Sequence, residues 1–287
     1  MNLLKRFFRF VLLYILTTIL LVAGLVTYIF IDNNTIELNK YTIFSQKIPP
    51  AFNGYKFLIV SDYHNAPYVE KVVKKAKSAK PDVIVITGDF TTRGERHMDN
   101  SLILAKQLCE IAPTYAVTGN HEEYAKDFAA FIKKFEDLGV KYLNNEKVEL
   151  KKEGASIFLY GIRDSSHTDL QLQNDPYRLL DKLEKTGKEL DPSRFNVLLA
   201  HRANQFEEIS KFDFDLVFSG HLHGGVVRLP FVGGVFSNTA EELFPKYTAG
   251  IYTLNQSKMV VSRGLDKQFN KLRIFNGPEL VLVTIKR

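Results

Sequence analysis

Blocks of apolar residues separated by polar junctions give the first outline of this chain. Residues 10–31 carry no formal charge over 22 positions, and Asp32-Asn33-Asn34 closes the block. At about 1.5 Å per helical residue, that length matches the hydrocarbon thickness of a bilayer. A core helix would keep one polar side, and this block has none. A cleaved secretory signal would have a shorter apolar core with small residues after it, whereas Val22-Ala23-Gly24 lies inside the block. Residues 1–31 are therefore expected to be a membrane anchor. Lys5, Arg6 and Arg9 precede the apolar block, which by the positive-inside tendency keeps the N-terminus in the cytoplasm. The expected placement is a single-pass protein of the cell membrane, with everything after Asp32 extracytoplasmic.

Residues 32–54 alternate in places, as in Thr35-Ile36-Glu37-Leu38, and contain Pro49-Pro50. They read as a tether able to add an edge strand, since proline is tolerated at sheet edges. The body, residues 55–287, then follows a regular rhythm. Short runs rich in branched residues at 57–60, 83–86, 115–117, 157–160, 197–199 and 216–218 predict buried strands. Between several of them, apolar residues fall at helical spacing: Val69, Val72, Val73 and Ala76; Leu102, Ala105, Leu108 and Cys109; Phe128, Phe131, Ile132 and Phe135. This alternation predicts a layered α/β domain with a largely parallel central sheet. After Gly225 the pattern changes to strand pairs, 250–254 with 259–262 and then 280–285.

Composition narrows the class. The chain has 287 residues, 45% hydrophobic and 24% charged, which is ordinary for a folded protein. Its one cysteine, Cys109, excludes an internal disulfide and any multi-cysteine metal site. Lys5, Arg6 and Arg9 supply half of the net charge of +6, and no long basic run follows, so no nucleic-acid partner is expected. There is no Gly-x-x-x-x-Gly-Lys loop for a nucleotide, and no His-Glu-x-x-His helix of a metallopeptidase.

The candidate chemistry lies where the predicted strands end. Ser61-Asp62-Tyr63-His64, Thr87-Gly88-Asp89, Thr118-Gly119-Asn120-His121-Glu122, Ala200-His201 and Ser219-Gly220-His221-Leu222-His223 each follow one strand, and together they hold five of the seven histidines. Carboxyl ends of parallel strands line the ligand crevice in open α/β sheets. Asp62 and Asp89 lie 27 residues apart, and Asp89 and Asn120 lie 31 apart, close to one strand–helix–strand unit of roughly 30 residues. Asp62 with His64, and His221 with His223, are i, i+2 pairs that an extended backbone would direct to one side. Oxygen and imidazole ligands without thiolate suit divalent manganese, iron, cobalt or zinc, and seven or eight of them are too many for one ion. Two ions sharing a carboxylate fit the number. Such a pair, about 3.5–4 Å apart, lowers the pKa of a bridging water.

These five ordered motifs, with Ser262-Arg263-Gly264 and Gly277-Pro278-Glu279-Leu280 in the tail, make residues 35–287 resemble the calcineurin-like metallophosphoesterases, in particular their membrane-anchored bacterial branch. The resemblance implies a layered sandwich with central β-sheets flanked by helices and two divalent metal ions, manganese, iron or zinc. One would be held by Asp62, His64, Asp89 and His223, the other by Asp89, Asn120, His201 and His221. It further implies that His121 contacts the phosphate and protonates the leaving group. The implied reaction is hydrolysis of a phosphate ester or pyrophosphate bond by bridging hydroxide, extending to a lipid-linked substrate if the tether holds the mouth near lipid. The alternative is a membrane-tethered metal-binding or sensing protein without turnover. Tyr63 and Asn65 beside His64, and Arg202-Ala203 after His201, depart from the usual pattern at positions that bear on substrate preference.

Bland roles are expected elsewhere. Glu122 and Glu123 read as supporting or solvated residues, Tyr124 as rim, His97 and His167 as surface, Asp164 as support behind the ligands, and Cys109 as core. The rim is expected from residues 91–99, 228–244 and 263–275. Leu229-Pro230-Phe231-Val232 and Phe236 are apolar enough to meet acyl chains or to pack on the C-terminal strands.

Overall fold

In the computed structural model, the described residues are 3–93, 98–164, 176–237, 242–266 and 273–287, with the backbone alone described at 176–178. Helix α1 covers Leu3–Asn34 and extends past the charge-free block at both ends, because Lys5, Arg6, Arg9 and Asp32 do nothing to break a helix. It is long and apolar enough to cross a membrane, and none of its residues is buried by the rest of the protein. In its last turn Asn33 Nδ2 donates to the Ile29 carbonyl (2.8 Å) and Asn34 Nδ2 to that of Phe30 (2.7 Å), folding both side chains back along the helix.

The chain then forms β1 (Glu37–Phe44), β2 (Lys56–Val60), α2 (Val69–Ala79), β3 (Val83–Ile86), α3 (Asp99–Cys109), β4 (Thr114–Ala116), α4 (Phe128–Glu136) and β5 (Val140–Tyr142). There follow β6 (Glu146–Lys152), β7 (Ala155–Gly161), α5 (Pro176–Gly187), β8 (Asn196–Arg202), α6 (Phe206–Ile209) and β9 (Leu216–Gly220). Four two-residue strands, β10 (Arg228–Leu229), β11 (Gly233–Gly234), β12 (Phe236–Ser237) and β13 (Glu242–Leu243), make two small hairpins before β14 (Gly250–Leu254), β15 (Ser257–Val261) and β16 (Glu279–Lys286).

The large strands divide between two six-stranded sheets, ordered β1-β16-β2-β3-β4-β5 and β14-β15-β9-β8-β7-β6. The expectation of one central sheet is thereby corrected to two sheets face to face. The physical reason is that every central strand is apolar on both sides, so its residues do not reveal what covers each side. In β2, Phe57 and Ile59 enter the core between the sheets, with Val197, Leu199, Leu216 and Phe218 opposite. Leu58 and Val60 point the other way, into a core closed by α2, α3 and α4. A third core lies between the outer side of the second sheet and α5 and α6, around Leu198, Val217, Leu183 and Phe206. The layers thus run helix, sheet, sheet, helix, as the family resemblance implies. Residues 37–44 are the edge strand of the first sheet, pairing in parallel with β16 from Glu37↔Glu279 to Phe44↔Lys286. Cys109 is half-buried at the margin of the α3 core rather than inside it.

Strands β2, β3 and β4 are mutually parallel, as are β7, β8 and β9. Their carboxyl ends bring all five motifs to one edge of the sandwich, four of them reaching into loops and Ala200-His201, expected just past its strand, still within β8.

Candidate metal centre

The loops meet because glycine lets backbones touch. Gly88 has φ +95°, and a Cβ there would lie 2.6 Å from both Gly119 N and His201 Nδ1. Only a residue without a side chain allows the β3, β4 and β8 ends to close on each other.

Five of the candidate ligands adopt the left-handed backbone region: Asp62 (φ 48°), His64 (47°), Asp89 (49°), His221 (75°) and His223 (48°). The extended i, i+2 geometry expected for the two pairs is therefore corrected. The side chains are aimed by single left-handed residues, a conformation that is costly for non-glycine residues and clusters at functional sites.

Asp89 lies at the centre, fully buried. Its Oδ1 accepts the backbone N–H of His121 (2.9 Å). Its Oδ2 lies 3.6 Å from His64 Nε2, 3.4 Å from His201 Nε2 and 4.0 Å from His121 Nε2. The ligand atoms of Asp62, His64, Asp89 and His223 all lie within 4.8 Å of one another, as do those of Asp89, His201 and His221. Asn120 joins the second group, its Oδ1 3.3 Å from His201 Nε2. The structure thus brings all seven candidate ligands into two clusters that share Asp89, with His121 beside them, its side chain partly open to solvent.

Hydrogen bonding inside the clusters is incomplete in an informative way. His64 Nε2 and Asp89 Oδ2 are buried without any hydrogen-bond partner. Buried polar atoms are ordinarily satisfied, and orphaning one costs about 1–3 kcal/mol. An imidazole nitrogen and a carboxylate oxygen 3.6 Å apart, neither otherwise satisfied, suit two neighbouring ligands of one divalent cation.

Protonation points the same way. Burial pushes His64 down to about 3, so the ring is neutral and its lone pair is available. Burial, reinforced by the Arg202 guanidinium, also lowers His221 well below the ordinary imidazole value. His201 differs: burial opposes its charge, but Asp89 and Asp62 outweigh burial and raise it to about 10. Asp89 is itself held well below the carboxylate range, its burial overcome by His201 and His121. A cation held by Asp89, His201 and His221 would have to take the place of that His201 proton.

Supporting residues complete the site. His201 Nδ1 donates to the Thr87 carbonyl (2.8 Å), which turns Nε2 toward Asp89. Glu122, placed by its sequence among supporting or solvated residues, is buried and accepts backbone N–H groups of Asp89 (2.9 Å), Thr91 (2.9 Å) and Gly119 (2.7 Å). It welds the β3 and β4 loops together. Glu123 holds Arg163 (2.7 Å), and Arg93 stacks 3.5 Å over the Tyr124 ring at the rim. Asp164 pairs with Arg202 (2.8 Å), whose guanidinium lies 3.4 Å from His221 Nε2. Tyr63 is a fully buried core residue on Phe90, and Asn65 accepts the Ser101 N–H (2.9 Å), so both departures from the family pattern serve packing. His97 and His167 lie outside the described residues, as do 94–97, 238–241 and 267–272 of the expected rim.

Two residues support the site without having been singled out, Asp266 within the expected rim segment 263–275 and Asn276 just beyond it. Asp266 Oδ1 lies 3.2 Å from His223 Nδ1, and it is held well below the usual carboxylate range because Arg273 and His223 overcome its burial. Asn276 Nδ2 donates to the His223 carbonyl (2.8 Å) and fixes that loop. The one signal for Asp266 was a carboxylate directly after Arg263-Gly264-Leu265 in the tail motif region.

Known proteins give an independent comparison. The sequence model of the calcineurin-like phosphoesterase family matches residues 55–225. An uncharacterised metallophosphoesterase of Aquifex aeolicus (strain VF5) is 32% identical over 270 residues, covering 90% of this chain and 95% of its own length. UDP-2,3-diacylglucosamine pyrophosphatase LpxG of Chlamydia muridarum is 24% identical over 322 residues, with 93% and 95% covered. The crystal structure of the Thermus thermophilus protein TT1561 shares the fold, with TM-score 0.50 and 15% identity over 74% of this chain and 91% of that one. With its layers, strand-end loops and Asp/His clusters, the chain belongs to the calcineurin-like phosphoesterase family and is a metal-dependent phosphoric ester hydrolase.

Proposed function

We propose that this protein is a dinuclear phosphoesterase that hydrolyses a phosphate ester or pyrophosphate bond on a lipid-linked substrate, outside the membrane that α1 crosses. Asp62, His64, Asp89 and His223 would hold one divalent ion, and Asp89, Asn120, His201 and His221 the other, with Asp89 shared. When bound, such a pair neutralises the phosphate and makes hydroxide available near neutral pH.

The chain's own groups supply the rest. The Arg93 backbone N–H donates to His121 Nδ1 (2.9 Å), so the neutral ring carries its hydrogen on Nε2, the nitrogen nearer Asp89. His121 Nε2–H binds a phosphate oxygen, and the ring hands a proton to the leaving oxygen from its imidazolium form, reached when Nδ1 exchanges the Arg93 hydrogen bond for a proton. This placement favours turnover over mere metal sensing. Burial of Asp89, His201 and His221 excludes bulk water from the clusters and strengthens their hold on charge.

The lipid-linked substrate is supported by the membrane-length helix and by likeness to a protein named as a UDP-2,3-diacylglucosamine pyrophosphatase. Lys5, Arg6 and Arg9 before the apolar block support the extracytoplasmic side. One observation supports the catalytic reading: two four-residue clusters share a single buried aspartate whose outer oxygen faces His64, His201 and His121.

The test is Asp89→Asn in the full-length protein, followed by metal analysis and a phosphodiester assay with manganese. Loss of at least one ion per chain and of turnover is expected; retention of both ions with full turnover removes the proposal. Protease added outside intact cells should digest the domain if the side is as proposed, and complete protection refutes that side.

A further inference from the structure

Outside α1, ten large hydrophobic side chains are exposed among the described residues, and seven of them fall in one small region. Leu229, Phe231 and Val232 crown the β10–β11 hairpin, and Leu243 and Phe244 lie on the neighbouring hairpin with Phe236. Phe275 is the seventh. Scattered exposed apolar residues need no explanation, whereas a concentration of this kind marks a contact surface.

Phe231 is the sharpest case. The turn is closed by the Val232 N–H donating to the Leu229 carbonyl (3.2 Å), with Pro230 second and Phe231 third. Phe231 has φ 66°, at a place in the turn where glycine fits without strain, and its side chain is fully exposed. Neither packing nor backbone preference accounts for a phenyl group there.

The location of the patch identifies what covers it. Asn33, in the last turn of α1, donates to the Arg273 carbonyl (2.7 Å) and accepts the Arg273 N–H (3.2 Å). One turn lower, the Tyr28 ring packs 5.3 Å from Phe275. Ile274 pairs with Val227, the Val235 N–H donates to the Val227 carbonyl (2.8 Å), and the Phe244 N–H to the Val235 carbonyl (2.8 Å). Three such steps of about 4.8 Å bring Val227, Val235 and Phe244 within roughly 15 Å of Ile274, which adjoins the residue bonded to the end of α1, and Phe231 lies four residues beyond Val227, about 13 Å further along the chain. The same ladder begins directly after the His221-Leu222-His223-Gly224-Gly225 loop.

We infer that the two hairpins form a second membrane contact, seated in the interfacial region of the leaflet from which α1 emerges, and hold the metal-binding loop 221–225 at the bilayer surface. The occupant is lipid: phenyl and leucyl side chains beside a spanning helix match the apolar face of an interfacial element, which sinks about 5–10 Å into the headgroup boundary. This rests on the reading of α1 as membrane-spanning and deepens the proposed lipid-linked substrate, since the site and the lipid would share one surface.

The chain contains no tryptophan, so a single introduced one reports its own surroundings. Three full-length variants, Phe231→Trp, Tyr28→Trp and Phe44→Trp, are reconstituted into phosphatidylcholine vesicles carrying lipids brominated high on the acyl chain. Phe44 is exposed at the far end of β1, eight residues of strand away from the helix. Blue-shifted, strongly quenched emission is expected from Phe231→Trp and Tyr28→Trp, and water-like, unquenched emission from Phe44→Trp. Water-like emission from Phe231→Trp with quenched Tyr28→Trp overturns the hairpin contact and leaves the anchor standing. Unquenched emission from all three overturns both. The readout needs neither metal nor turnover, so failure of the phosphoesterase proposal would show separately, as inactivity toward a soluble aryl phosphate.

Discussion

At the scale of single residues, the site depends on groups that touch no candidate ion. Asp266 has no place in the ligand set, yet its carboxylate beside His223 Nδ1 fixes which ring nitrogen turns inward, Nε2 lying 3.7 Å from Asp62 Oδ1. Partners of this kind typically change metal affinity by about 10–100-fold. Asp266→Asn is therefore expected to fold normally and to weaken metal binding by that order in a competitive chelator titration; unchanged affinity would reduce Asp266 to a partner of Arg273. His201 gives a second prediction. In the metal-free protein its pKa is raised to about 10, so at neutral pH it carries a proton that ligation must expel, whereas His64, lowered to about 3, has none to lose. Metal affinity at the Asp89–His201–His221 cluster should accordingly rise about tenfold per pH unit from pH 7 toward 10 through this group, and loading in weak buffer should release a proton. Calorimetry in buffers of different ionisation enthalpy reads that release directly. Its absence would mean that His201 is neutral before the ion arrives.

At the scale of elements, the site is only as firm as the strands that end in it. Phe57 on β2 is fully buried between the sheets and packs 5.3 Å from Phe218 on β9, so it joins the strand leading to Asp62 and His64 with the strand leading to His221 and His223. Phe57→Ala should cost about 3–5 kcal/mol in urea unfolding, the range for a large aromatic removed from a packed core. A cost below 1 kcal/mol would show that the two sheets close over the gap. The same strand shows what sequence can reveal. Its apolar run announced a buried strand, and the polar residues just beyond it announced a site, because a strand covered on both sides has nowhere but its end to place Asp62 and His64. The run could not show that Phe57 and Leu58 enter different cores, so the second sheet was invisible to periodicity alone. Strand β6, with Glu146, Lys147 and Glu149 around Val148 and Leu150, was missed because an edge strand wetted on one face carries too few apolar residues to stand out. Asp266 was missed for a different reason: it follows β15 in a loop 43 positions after His223, and no local pattern ties it to that histidine.

At the scale of the whole molecule, the metal-free centre is a region of stored cost. Five left-handed ligand residues, each about 1–3 kcal/mol above a relaxed backbone, are held by the packing of two sheets and three cores. Buried His64 and Asp89 atoms without partners add to it. The candidate ligands come from loops far apart in sequence, so an ion held by them would bind the native state almost alone, and each would stabilise it by about 2.7 kcal/mol at a hundredfold excess over its dissociation constant. For a domain of this size, 1 kcal/mol moves the melting temperature by roughly 2–4 °C, so stripping one ion should lower it by about 5–10 °C. The measurement is circular dichroism melting of the detergent-solubilised full-length protein with chelator and with excess manganese. Asp89→Asn separates the cause from its alternatives: having lost the proposed shared ligand, it should melt near the chelated wild type and respond little to either addition. If chelation leaves the wild-type melting temperature unchanged while Asp89→Asn lowers it, the packing of Asp89 rather than the ions carries the stability, and the fold tolerates its strained loops without help from metal.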